Sequence, residues 1–165
     1  MVVRLSWIDD SGEAFVRGSV DMAARGMKAQ HRVGPPVVRL NRDRAVASLP
    51  AIIDIPTVIR GVEAQLSSHA RLLYRLERRN GAWRICFLDA TYARDELTAS
   101  MPGQSLTVLA QDVAQYRKSY RLLCYVLGLT SYVPSQDLAG EDLPETVAAL
   151  MAEVYGWAGL TADGR

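Results

Sequence analysis

The dipeptide Asn80-Gly81 constrains the middle of this chain more than any other feature. Asn-Gly is the strongest short-range signal for a two-residue hairpin turn, because both positions must adopt positive φ. Residues 70–78 before it and 83–92 after it are long extended runs. Together they predict two antiparallel strands. The return run, Trp-Arg-Ile-Cys-Phe-Leu-Asp-Ala-Thr-Tyr, is mostly apolar. A strand apolar on both sides belongs in the centre of a covered sheet.

Other elements assemble around this hairpin. Residues 2–8 read as a strand, 9–12 as a turn and 13–16 as the returning partner. Ser19 is placed to cap a short helix to about Gln30, with Val20, Ala23, Ala24 and Met27 on one face. Gly34-Pro35-Pro36 breaks that pattern. Residues 37–40 and 45–49 flank a turn at 41–44 and predict a second hairpin. Pro50 and Pro56 bracket Ala-Ile-Ile-Asp-Ile, which predicts a bulged or edge strand. Residues 58–66 read as extended, with Gly61 at a turn or bulge.

Beyond Asp95 the pattern becomes helical. Residues 106–127 read as helix, with a break near Lys118 and Ser119 left open, and Gly128 is a good stop. Asp142, Pro144 and Glu145 have the spacing of a helix start. Val147, Leu150, Met151, Val154, Trp157 and Ala158 then form one apolar face. Residues 161–165 read as a polar tail. Strands come first and helices last, so the expected class is α+β, not alternating βαβ.

Composition excludes several functions. The chain has 165 residues, which suits one domain, with 19 basic and 18 acidic side chains. A formal net charge of +1 argues against a broad nucleic-acid footprint. No apolar run reaches the ~20 residues of a membrane span. The start of the chain lacks a leader pattern, so the expected location is the cytoplasm. Cys86 and Cys124 sit in apolar stretches without metal-ligand spacing and read as reduced buried thiols. The motifs for nucleotide, metal-protease or serine-hydrolase chemistry do not occur, so neither cofactor nor metal is expected.

Three pieces carry a family resemblance: Gln30-His-Arg-Val-Gly34, the run 37–47, and Tyr74-Arg-Leu-Glu-Arg-Arg-Asn-Gly-Ala-Trp-Arg-Ile85. Together they resemble the SnoaL-like branch of the nuclear transport factor 2-like superfamily. The resemblance covers about residues 1–97. It implies a curved antiparallel sheet forming a cone around helices, with an apolar pocket. Residues 1–100 would form the cone domain and 101–165 a helical extension on the same domain. Family members begin with helices that close the mouth of the cone. This chain opens almost directly on a strand, so either it starts late or its C-terminal helices cover that surface. The resemblance also implies a homodimer and, in its catalytic members, proton transfer, dehydration or cyclisation of a small apolar carbonyl compound. The alternative is a non-catalytic binding or dimerisation module.

The only histidines, His31 and His69, match the pocket histidines of the dehydratase members. Such a pair could relay a proton. His69 also falls in phase with Arg71, Arg75 and Glu77, which places it on a solvated face, and His31 could cap the preceding helix. Asp89 lies in the apolar return strand, where a desolvated carboxylate could serve as a base. An arginine partner is the alternative reading. Asp54, between two isoleucines, has the same ambiguity, whereas Asp95 reads as a surface ion pair with Arg94. Trp7, Tyr74 and Tyr92 are candidate pocket liners. Tyr116 and Tyr120, four apart, would share a helix face that could bind a second subunit.

Overall fold

The computed structural model describes residues 1–130 and 132–162. Its strands are β1 (Val2–Leu5), β2 (Ile8–Ser11), β3 (Gln30–Val33), β4 (Val37–Asn41), β5 (Arg44–Ile59), β6 (Val62–Arg79), β7 (Ala82–Ala99) and β8 (Ala139–Gly140). Its helices are α1 (Gly12–Ala24), α2 (Ala110–Val113), α3 (Arg121–Gly128) and α4 (Pro144–Trp157), with one 3₁₀ turn at Lys118–Tyr120. The class is α+β. The eight strands form one open sheet in the order β2-β1-β7-β6-β5-β3; β4 also pairs with β5, and β8 with β7. Pairing is antiparallel except for β1 and β8, which run parallel to β7. The end of the polar tail, residues 163–165, lies outside the described residues.

Two tight turns build the central meander. Asn80-Gly81 joins β6 to β7 with φ of 51° and 78°, and Arg60-Gly61 joins β5 to β6 with φ of 49° and 82°. Positive φ at both turn residues matches the twist of the flanking strands. The resulting strands of 16, 18 and 18 residues are longer than the sequence pattern predicts.

β5 corrects the expectation of an edge or bulged strand. It is interior and pairs with β6 without interruption from Arg44 to Ile59. On its other side β4 covers residues 44–48 and β3 covers 51–54. Both prolines fall where that side has no ladder partner. The Pro50 carbonyl accepts a hydrogen bond from Gly34 N–H at 2.9 Å, so Pro50 faces outward. In a strand, a residue's N and C=O point the same way, and Pro56 shares the parity of Pro50. The missing donors are therefore lost only where no strand needs them. A Cβ at Gly34 would sit 2.7 Å from Pro50 Cγ, so the connection from β3 to β4 needs glycine to pass over it.

The N-terminal helix starts earlier than predicted. Residues 13–16 are helical, not a strand, and the cap is Ser11, not Ser19. Ser11 Oγ accepts from Ala14 N–H at 3.2 Å, and Glu13 lies in the first turn. A capping hydroxyl and an early carboxylate both favour a helix start. The helix stops at Ala24, which leaves Gln30 and His31 to β3.

The predicted helix 106–127 is divided into α2, the 3₁₀ turn and α3. Carboxylates from elsewhere in the chain begin the later segments. Asp142 accepts from Lys118 N–H at 3.1 Å, and Asp95 accepts from Leu123 N–H at 2.9 Å. Asp95 is thus not a surface ion pair, and Asp142 does not cap α4. Asp142 instead holds Arg117 and Ser119 at 2.8 Å each. Pro144 does open α4. Tyr120, predicted to face a second subunit, is fully buried, stacks edge-on against Tyr92 and donates to Gln136 O at 2.8 Å.

Side-chain alternation gives the sheet two faces. One carries Leu66, Ala70, Leu72, Leu88 and Tyr92, packed with Leu123 and Leu127 of α3. The other carries Val46 and Leu73, packed with Val154, Tyr155 and Ala158 of α4. The predicted apolar face of α4 supplies Leu150, Met151, Val154, Trp157 and Ala158; Tyr155 joins them, and Val147 does not.

Candidate functional site

A cavity of about 690 Å³ opens on the α3 side of the sheet. Its floor comes from Ile53, Ile55, Leu72 and Leu88, which alternation turns to that face. β1 and the turn after it supply Leu5, Ser6 and Trp7; α1 supplies Phe15, Ser19, Met22 and Ala23; α3 supplies Leu123 and Leu127. Of the C-terminal helices, α3 packs on this face of the sheet and α4 on the opposite one. α1 has no buried residue and lies along the cavity wall.

Trp7, Tyr74, Tyr92 and His31 all line this cavity. Trp7 stacks on Phe15 with ring centroids 5.4 Å apart and meets Tyr132 edge-on at 6.2 Å. Gly18 allows this approach, since a Cβ there would lie 2.8 Å from the indole. Tyr92 is 1% exposed, and its hydroxyl accepts from Ser6 N–H at 3.1 Å. Burial pushes its phenol up to about 12, so it stays protonated as a potential donor. Burial also raises the Tyr74 phenol. His31 stands exposed at the mouth, paired across the ladder with Ile53. Partial desolvation by the cavity wall lowers its pKa below 6.5, which favours the neutral ring at pH 7.

The three candidate catalytic residues are not one site. His31 pairs in register with Ile53 and Ile53 with Ser68, whereas His69 pairs with Ile52. A one-residue offset reverses the face. His69 therefore points away from the cavity, with Nε2 3.9 Å from Glu96. Its neighbours there are Asp54 and Ser67, joined at 2.6 Å. Asp54 is held below the ordinary carboxylate range by hydrogen bonds from Arg32 and Ser67. Ser68 is fully buried on the other face, so Ser67-Ser68-His69 forms no nucleophile–base pair.

Asp89 lies behind the sheet under α4, and its arginine partners replace the expected general base. Its oxygens meet Arg4 Nε at 2.6 Å and Arg75 Nη2 at 2.9 Å. Glu153 of α4 completes the cluster, 2.8 Å from Arg4 and 2.9 Å from Arg75. The Arg75 and Asp89 side chains are 4% and 3% exposed. Both carboxylate oxygens are taken by guanidiniums behind the sheet, so neither is presented to the cavity. The sequence shows many arginines, but nothing local marks Arg4 and Arg75 as its partners.

Further features went unread in the sequence. Phe15, Met22 and Met27 line the cavity, and Lys28 stands with them. The i, i+4 spacing of Phe15 and Ser19 becomes visible only once the helix start moves to Gly12. Both cysteines are free, Cys124 buried and Cys86 only half-buried. Burial pushes the Cys124 thiol up to about 11. Among the described residues no cluster of His, Cys, Asp and Glu could hold a metal ion. No described helix is long and apolar enough to cross a membrane.

No protein-family model and no curated protein matches the sequence. Among solved structures, Rv3472, a function unknown protein from Mycobacterium tuberculosis, aligns over 82% of this chain and 77% of its own. The TM-score is 0.43 and the identity 14%, too low to carry a family or an activity.

Proposed function

We propose that this chain binds a small apolar molecule in the cavity between α1, α3 and the sheet. The fold is read as a cone of the SnoaL-like, nuclear transport factor 2-like kind, with residues 101–165 as a helical extension. The observation that carries the reading is the cavity itself. Its volume of about 690 Å³ lies within the ~300–1,000 Å³ range of small-molecule sites, and its lining is mainly apolar and aromatic. Binding is favoured over proton transfer because the acid–base groups are divided between two faces. His31 alone of the three reaches the cavity.

Nile red, a neutral apolar dye, tests the proposal. It should bind with one-to-one stoichiometry and quench Trp7. Ala23→Trp, which fills the cavity from α1, should weaken it at least about tenfold, or about 1.4 kcal/mol. No saturable uptake by the folded protein would overturn the reading.

A second reading, pairing of two copies, rests on the outer strands. Val33, Val37, Val38 and Leu40 of β3, β4 and their connection are each more than half exposed. An open apolar edge invites another strand. Light scattering that gives a monomer mass at every concentration would remove this reading.

A further inference from the structure

We propose that the ligand is an amphipathic carboxylate, its apolar body in the cavity and its charged end at Lys28 and His31. The proposal rests on the reading of the cavity as a ligand site and adds the chemistry of the ligand. Three observations support it.

The first is the distribution of charge. No Asp or Glu lines the cavity among the described residues, whereas Lys28 does, and it is one of only two lysines in the chain. The nearby carboxylates are engaged or turned elsewhere: Asp54 with Arg32 on the opposite face, and Asp89 with Arg4 and Arg75 behind the sheet. Asp21 of α1 and Arg25, which follows the helix, do not line the cavity.

The second is that both polar ends are free. Neither the Lys28 ammonium nor the His31 ring has a hydrogen-bond or ion-pair partner among the described residues. Two of the other polar side chains differ, while the Tyr74 hydroxyl also has no hydrogen-bond partner among the described residues. Ser19 Oγ donates to Phe15 O at 2.8 Å, and Tyr92 already accepts from Ser6. A ligand anion would take a donor from Lys28 and another from the His31 ring without breaking an existing bond.

The third is position. Lys28, on the segment that leads into β3, and His31, within β3, are both exposed and three residues apart. A charged head there keeps part of its hydration while the tail is desolvated, which avoids the cost of a buried ion. One full positive charge with one neutral imidazole matches a singly charged head. A doubly charged phosphate would remain under-neutralised.

Matched pairs displacing Nile red provide the test: decanoate against decan-1-ol, and 2-naphthoate against 2-naphthol. The acid of at least one pair should bind about fivefold tighter than its alcohol, the size expected of a partly exposed charge pair. Lys28→Gln should erase the preference and Lys28→Glu should invert it. Added salt should narrow it. Equal affinity of acid and alcohol in both pairs would overturn the carboxylate proposal and leave the cavity reading standing. A preference that persists in Lys28→Glu would overturn the assignment of the head to this end. Failure of Nile red itself to bind would overturn both readings.

Discussion

At the scale of single residues, Asp89 shows how one position can invite two readings. A carboxylate between Leu88 and Ala90 in an apolar strand looks desolvated, and a desolvated carboxylate looks like a base. Alternation instead aims Asp89 at the α4 face, where Arg75 and Arg4 wait. The pair with Arg75 is buried, so its removal should be expensive. Asp89→Ala leaves the Arg75 guanidinium with Glu153 alone, and we expect a loss of about 3–5 kcal/mol in urea unfolding. Replacing both partners, Asp89→Leu with Arg75→Met, should recover most of that loss, because no unpaired charge remains. A loss under about 1 kcal/mol in Asp89→Ala would mean that the pair stands in a far wetter environment than its exposure indicates.

At the scale of elements, α4 is held at its C-terminal end by side chains of the sheet. Arg44 and Asn41 donate to the carbonyls of Trp157 and Ala158 at 2.6 and 2.9 Å, and Arg44 also covers the Trp157 ring. Glu153 fixes the middle. Burial opposes its ionisation, but hydrogen bonds from Arg4 and Arg75 outweigh that and lower its pKa below 4.5. A lowered carboxylate pKa means that the unfolded state binds more protons. The contribution is therefore present above pH ~4.5 and is lost as pH falls through the folded value. In thermal scans, Glu153→Gln should melt earlier at pH 7 and lose less on acidification than the parent. Parallel curves for the two proteins would remove Glu153 from the acid response. α1 makes the opposite case. Alanine is worth about 1 kcal/mol over glycine inside a helix. Gly18→Ala should nonetheless lower Tm, because its Cβ would meet the Trp7 ring at 2.8 Å. A rise in Tm would mean that Trp7 moves freely.

How far these elements were legible follows from where their signals lie. The β6–β7 hairpin and α4 declare themselves through local pattern: Asn80-Gly81, a long apolar return, and a repeat at three and four residues. Pro50 misled because its rule concerns neighbours, and the gap between β3 and β4 is not written near it. The division of 106–127 depends on Asp142 and Asp95, one far downstream and one upstream. The site was legible to the same degree. Trp7, Tyr74, Tyr92 and His31 share a cavity, as their residue types suggest, but His69 and Asp89 required the register. Arg4 and Arg75 required the tertiary fold.

At the scale of the whole molecule, the sheet separates a ligand face from a supporting face. β6 carries both, with Leu72 and Tyr74 toward the cavity and Leu73 and Arg75 toward α4. This arrangement predicts that stability and affinity can be changed independently. A ligand that binds only the folded state raises Tm by mass action, whatever the baseline. Asp89→Ala should therefore lower the baseline while a saturating cavity ligand still adds its increment. Ala23→Trp should do the reverse, with the baseline within about 0.5 kcal/mol of the parent, as for most exposed substitutions, and the increment lost. Calorimetry on the two variants, with and without ligand, measures both quantities together. If Asp89→Ala abolished the increment, the β-strands would be transmitting strain from the α4 face to the cavity. Sites on opposite faces without shared partners should instead act additively, and additivity would leave the charged cluster as the support of α4 and the cavity free to vary with its ligand.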